Sequence, residues 1–191
     1  MFAQLAALAL GVLIGVQLPD IDLWLFFLVG SHRSALTHSP LIPYGLYLAA
    51  QGRSAWWRWG AVGIAVAFAA HLAYDLFPRA WYGTALIKAP IFGQLIPTLS
   101  LLWLMGSVVG CAYIALRLVE QRRDLSLVLV SGFVAFVISG LRSGEAWFLP
   151  LVALGTCLLL ASLLPNPAVN GRDVLREAIE TVKSWRTPPT P

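Results

Sequence analysis

The stretch Leu18-Pro-Asp-Ile-Asp22, followed after a short apolar run by Ser31-His-Arg-Ser-Ala-Leu-Thr-His-Ser-Pro40, decides how the rest of this chain is read. It sets Asp20, Asp22, His32 and His38 inside a sequence that is otherwise strongly apolar. Of the 3 histidines in the chain, only His71 lies elsewhere. It stands four residues before Asp75 in His71-Leu-Ala-Tyr-Asp75, a spacing that puts both side chains on one helix face. Six groups able to bind metal or move protons thus fall into two clusters, in a chain with only 9 acidic residues.

Around these clusters the 191 residues are 59% hydrophobic and 12% charged, with mean hydropathy +0.77. A soluble domain carries about 25% charged residues, so the composition predicts an integral membrane protein built as one unit. Lys and Arg outnumber acidic residues 13 to 9. They are scattered between apolar segments, which membrane orientation explains better than binding to nucleic acid, so no nucleic-acid partner is expected. Cys111 and Cys157 sit within apolar runs and read as small core residues, with no disulfide framework or CxxC site.

In chain order, Phe2–Leu18 reads as a first span ended by Pro19. Met1–Val16 lacks the basic n-region and cleavage site of a secretory signal, so the span is expected to be retained. Leu23–Val29 is too short to cross and predicts a re-entrant or interfacial helix. Ser39 as N-cap and Pro40 at the first helical position open a short helix to Ala50. Gln51–Trp59 reads as a polar, Trp-rich interfacial turn. A span follows over Gly60–Phe77, with His71 about 9 Å from its end. Pro78–Pro97 predicts a structured loop or re-entrant segment over the clusters. Thr98–Leu118, Leu125–Leu141 and Ala146–Leu164 complete the spans. Gly171–Arg186 carries Val174, Leu175, Ala178, Ile179, Val182 and Trp185 as one apolar stripe, the pattern of a helix lying on a membrane surface.

The expected fold is therefore all-α: a polytopic membrane helix bundle of about six spans with short re-entrant segments over residues 1–165, then an amphipathic helix and disordered tail over 166–191. Six spans place both termini on one side. Nine of the 13 basic residues fall there, among them Arg53, Arg58, Arg117, Arg122 and Arg123. The positive-inside rule makes that side cytoplasmic and puts both clusters toward the external face.

Chemically, His71 and Asp75 can hold one ion from a single helix, Asp20 and Asp22 offer hard oxygens, and His38 adds an imidazole. Such a mixed set suits zinc first, with manganese or iron as alternatives. Arg33, and secondarily Arg79 or Lys88, can bind phosphate. Blander readings compete: a structural His–Asp hydrogen bond, Asp-x-Asp as a helix cap, and Arg33 paired with Asp20 or Asp22. Trp56, Trp57 and Trp59 read as an interfacial belt. The joint occurrence of every histidine with nearby carboxylates favours a metal site.

Leu-Pro-Asp-Ile-Asp (18–22), His-Arg-Ser-Ala-Leu-Thr-His-Ser (32–39) and His-Leu-Ala-Tyr-Asp (71–75) together resemble the YdjM-like family of membrane-bound metal-dependent hydrolases, small proteins of the bacterial inner membrane. The resemblance covers roughly residues 11–97. It implies that Asp20, Asp22, His32, His38, His71 and Asp75 are the metal and catalytic residues.

The combined expectation is a metal-dependent hydrolase acting on a phosphoester or related ester of a membrane lipid or lipid-linked substrate. Asp20, Asp22, His38, His71 and Asp75 hold the metal, His32 is a ligand or the general acid, and Arg33 binds phosphate. The alternative is a non-catalytic membrane protein whose cluster binds a structural or transported ion.

Overall fold

The computed structural model describes residues 2–24, 32–90, 92–121, 124–144, 146–165, 176 and 179–180. Among these the fold is all-helical apart from one hairpin of two two-residue strands. The helices are α1 (Phe2–Gly15), α2 (Ile21–Trp24), α3 (Leu41–Ala50), α4 (Ala55–Asp75), α5 (Pro97–Leu118), α6 (Leu125–Ser143) and α7 (Phe148–Leu163).

The fold is built around α4. Ala65, Ala67, Phe68, Ala69, Ala70, Leu72 and Ala73 are buried on all its sides, the pattern of a helix enclosed by others. Its many Gly and Ala residues let neighbours come close, and α1, α3, α5, α6 and α7 all pack on it. Closest is α1. Gly11 and Gly15, a small-xxx-small pair, lie against Gly60, Gly63 and Ile64. A Cβ at Gly11 would strike the Gly60 carbonyl, and one at Gly63 the Leu8 carbonyl.

The helices alternate between two ends of the bundle. At one end Gln4, Arg58, Glu120, Gln121 and Asp124 share a cleft, and Arg58 is ion-paired with Glu120. At the other, the ends of α1, α4 and α6 converge on the acidic and histidine residues. Gly144, with φ 65°, closes α6 in the left-handed conformation, its N–H donating to the Gly140 carbonyl.

Several expectations change. Two helices, α5 and α6, are both long and apolar enough to cross a membrane, so the six spans are not supported by length and composition. At 14, 10 and 16 residues, α1, α3 and α7 are shorter than the ~20 residues a crossing needs. Trp56, Trp57 and Trp59 belong to α4, which begins at Ala55 rather than Gly60, because Ser54 is already extended and ready to start a helix. Pro40, not Ser39, occupies the N-cap of α3, although the Leu41 N–H reaches the Ser39 hydroxyl. Residues 25–29 of the expected re-entrant segment lie outside the described residues. So does the C-terminal amphipathic helix, except Arg176, Ile179 and Glu180, where Arg176 pairs with Glu180.

The 78–97 segment folds as a clamp. Lys88–Ala89 (β1) pairs antiparallel with Gly93–Gln94 (β2). Lys88 also bridges to the histidine loop, its N–H donating to the Arg33 carbonyl (3.1 Å) and its carbonyl accepting from Ala35 N–H (2.8 Å). Ile87, fully buried beneath, anchors the clamp to α5 through the Ser100 hydroxyl.

Candidate metal centre

Three segments bring the donors together. Pro19 ends the first apolar run, so Asp20 emerges at the foot of α1; α4 carries His71 and Asp75 one turn apart; and the clamped 32–39 loop delivers His38. Ligand atoms of Asp20, His38 and His71 lie within 4.8 Å of one another. Asp75 joins them, with its Oδ2 3.4 Å from His38 Nε2 and 3.6 Å from His71 Nε2. His71 Nε2 is also 3.6 Å from Asp20 Oδ1.

The tautomers follow from the other ring nitrogens. His71 Nδ1 lies 3.1 Å from the Val16 carbonyl, which can only accept, so Nδ1 carries a proton and Nε2 is the nitrogen that faces the cluster. His38 Nδ1 is 3.0 Å from the Thr37 hydroxyl, which donates in turn to Asp22 Oδ2 at 2.9 Å. His38 Nδ1 is therefore the donor, and its Nε2 also faces the cluster.

Asp22, expected among the ligands, stands one layer back. Its Oδ2 accepts from Ser34 N–H (3.1 Å) and Thr37, and its Oδ1 from His32 Nδ1 (3.2 Å). Burial would raise its pKa, but the hydrogen bonds from His32 and the Ser34 N–H, with His38 Nδ1 only 3.4 Å away, outweigh that and hold it well below the usual carboxylate range. The same bond to Asp22 raises the pKa of His32. A carboxylate behind a ligating histidine is the usual support of a metal site.

Arg33 pairs with Asp75 rather than with Asp20 or Asp22. Its Nη2 lies 2.8 Å from Asp75 Oδ1, and its Nη1 donates to the Ala85 carbonyl at 3.0 Å. Among the described residues it is the one non-glycine with positive φ, 59°. That conformation lets its backbone join Lys88 while its side chain turns inward, a local strain of the kind found at functional sites. Arg79 and Lys88 do not line the cavity at the cluster.

Three contributors were missed in the sequence. Thr37 sits within the histidine motif, so it was legible there. The Val16 carbonyl and Arg142 were not. Arg142, at the end of α6, lies 3.4 Å from Asp20 Oδ2 and donates to Val16 O at 3.2 Å, contacts that span more than 120 residues.

The donor set fits a divalent cation. Two imidazoles and two carboxylates converge, and His38 Nε2 and Asp75 Oδ2 are buried without hydrogen-bond partners among the described residues. With bonds of about 2.0–2.2 Å, adjacent ligands of a tetrahedral ion lie about 3.3–3.6 Å apart; the His38–Asp75, His71–Asp20 and His71–Asp75 pairs, at 3.4–3.6 Å, match that spacing, and Asp20, His38 and His71 together lie within a looser 4.8 Å. No family model, curated protein or solved structure matches the chain.

Proposed function

We propose that this chain is a membrane-bound, metal-dependent hydrolase acting on a lipid or lipid-linked phosphoester or ester, as its resemblance to the YdjM-like family implies. The observation that carries this reading is the convergence of His38 Nε2, His71 Nε2, Asp75 Oδ2 and Asp20 Oδ1, two of them buried atoms with no hydrogen-bond partner among the described residues. These four residues hold the ion, zinc first, with manganese or iron as alternatives. When bound, the ion supplies Lewis acidity and an activated water.

The other residues divide the remaining work. Asp22 and Thr37 aim His38, and Arg33 holds Asp75 in place. His32, half-buried at the cavity wall, is positioned to give its proton to a leaving group, the role its hydrogen bond to Asp22 supports.

The membrane assignment draws on α5 and α6, and on large apolar side chains exposed on the bundle exterior, including Leu13, Leu102, Phe133, Leu141, Phe148 and Leu160. We place the protein in the bacterial inner membrane as a multi-pass chain. Its Arg58 end is cytoplasmic and the metal end faces outward. The competing reading is a structural or transported ion.

Metal analysis of the purified protein and of His71→Ala, with assays on phospholipids and polyprenyl phosphates, decides between them. Bound metal and ester turnover that are lost together in His71→Ala support the hydrolase. Bound metal without turnover, with a melting temperature that falls on chelation, supports the structural ion.

A further inference from the structure

Beside the four donors lies a cavity of about 260 Å³ with a wall that metal binding leaves unused: Tyr74 from α4, and Ser139 and Arg142 from α6. Tyr74 OH and Ser139 Oγ are both buried without a hydrogen-bond partner among the described residues. Tyr74 is 4% exposed and Ser139 5%. Leaving a buried hydroxyl unpaired costs free energy. Two of them lining one polar cavity therefore mark a place where a ligand's oxygens complete the bonding.

The surroundings hold Tyr74 in this position. Its ring stacks on Phe136 at 4.8 Å and 26°. Its hydroxyl rests against Gly140, where any Cβ would overlap it. Phe136, Ser139 and Gly140 thus form one face of α6 shaped around this hydroxyl. Arg142 adds a guanidinium on a side chain that is 47% exposed. It contacts Val16 O and Asp20, and a guanidinium has five N–H donors, so donors remain for a ligand.

We propose that Tyr74, Ser139 and Arg142 form a phosphoryl-binding subsite beside the metal cluster, so that the substrate is a phosphate ester rather than a carboxylic ester. The proposal rests on the hydrolase reading above. Donors from two helices lining one cavity suit a tetrahedral group with several peripheral oxygens, and a guanidinium matches phosphate geometry. A carboxylic ester offers one carbonyl oxygen and leaves donors unpaired. Charge agrees: three carboxylates (Asp20, Asp22, Asp75) against two guanidiniums (Arg33, Arg142) leave at most one net negative charge, which a divalent ion turns to net positive.

The test is calorimetric titration of the full-length, zinc-loaded protein in detergent with inorganic phosphate, for wild type, Tyr74→Phe and Ser139→Ala, with metal content measured on each. Both variants are expected to keep their metal and bind phosphate roughly 10- to 100-fold more weakly, as loss of a hydrogen bond to a charged group implies. Competition by short-chain phosphatidic acid distinguishes a lipid headgroup from a soluble phosphate as the source. Unchanged phosphate affinity in both variants overturns the subsite, as does wild type that holds zinc and binds no phosphate. If wild type holds no zinc, the hydrolase reading fails instead. The same titration on metal-free protein then judges the subsite by the same loss in the two variants.

Discussion

His71 donates from Nδ1 to the carbonyl of Val16 across 3.1 Å, tying the central helix to the foot of the first helix. This bond fixes which imidazole nitrogen faces the carboxylates. It exists because Gly11 and Gly63 let α1 and α4 approach until their backbones touch. The candidate metal site is therefore coupled to a helix crossing one or more turns away from it.

Gly63→Val should break that coupling. The new side chain meets the Leu8 carbonyl and Val12 N, and such overpacking costs about 1–3 kcal/mol. Thermal denaturation should show a lowered midpoint, and metal content should fall as Val16 moves away. Gly106→Ala, on α5 with open space around it, is the control and should match wild type. Full metal occupancy in Gly63→Val would show that the crossing does not position His71.

Ligands and supports should separate by severity. His71→Ala removes a donor and should abolish metal binding. Asp22→Asn leaves all four donors and disturbs only the hydrogen bonds behind His38 and His32, so metal affinity should fall by about 10- to 100-fold. Competition with a chromophoric chelator measures both. Equal losses in the two variants would move Asp22 from support to ligand.

His32 should affect rate more than binding. His32→Ala is expected to retain metal and slow turnover by about 10²–10⁴-fold, the range for a general acid. Metal content and rate are measured on the same preparation. Loss of metal in this variant would make His32 a ligand.

Arg33→Ala should be costly in a way that depends on metal. It strips Asp75 Oδ1 of its 2.8 Å partner in a nearly buried setting, and breaking such a pair costs about 3–5 kcal/mol. An ion on the other carboxylate oxygen offsets part of that loss. The drop in melting temperature should accordingly be larger in chelator-treated protein than in zinc-loaded protein. Equal drops would mean that Asp75 does not face the ion.

Orientation is tested separately. Reporter fusions after Gln51 and Gln121, at the Arg58 end of the bundle, should read cytoplasmic, and a fusion at Ser143 should read external. A cytoplasmic reading at Ser143 would reverse the direction in which the site faces and leave its chemistry intact.

What the sequence determined by itself was local. Apolar runs broken by Pro19, Pro78 and Pro165 predict an all-helical chain, because periodicity and helix breakers act within a few residues. The four-residue spacing of His71 and Asp75 placed both on one face. The clustering of histidines with aspartates marked the site. Tertiary structure decided everything that depends on distance through space. Asp20 and Asp22 are indistinguishable as letters, yet one faces the cluster and the other supports it, because the histidine loop folds over Asp22 and takes up both its oxygens. Arg33 chose Asp75 over its nearer aspartates because the Lys88 clamp turns its backbone. Val16 and Arg142 joined the site only because close packing of glycines and alanines brought three helix ends to one point.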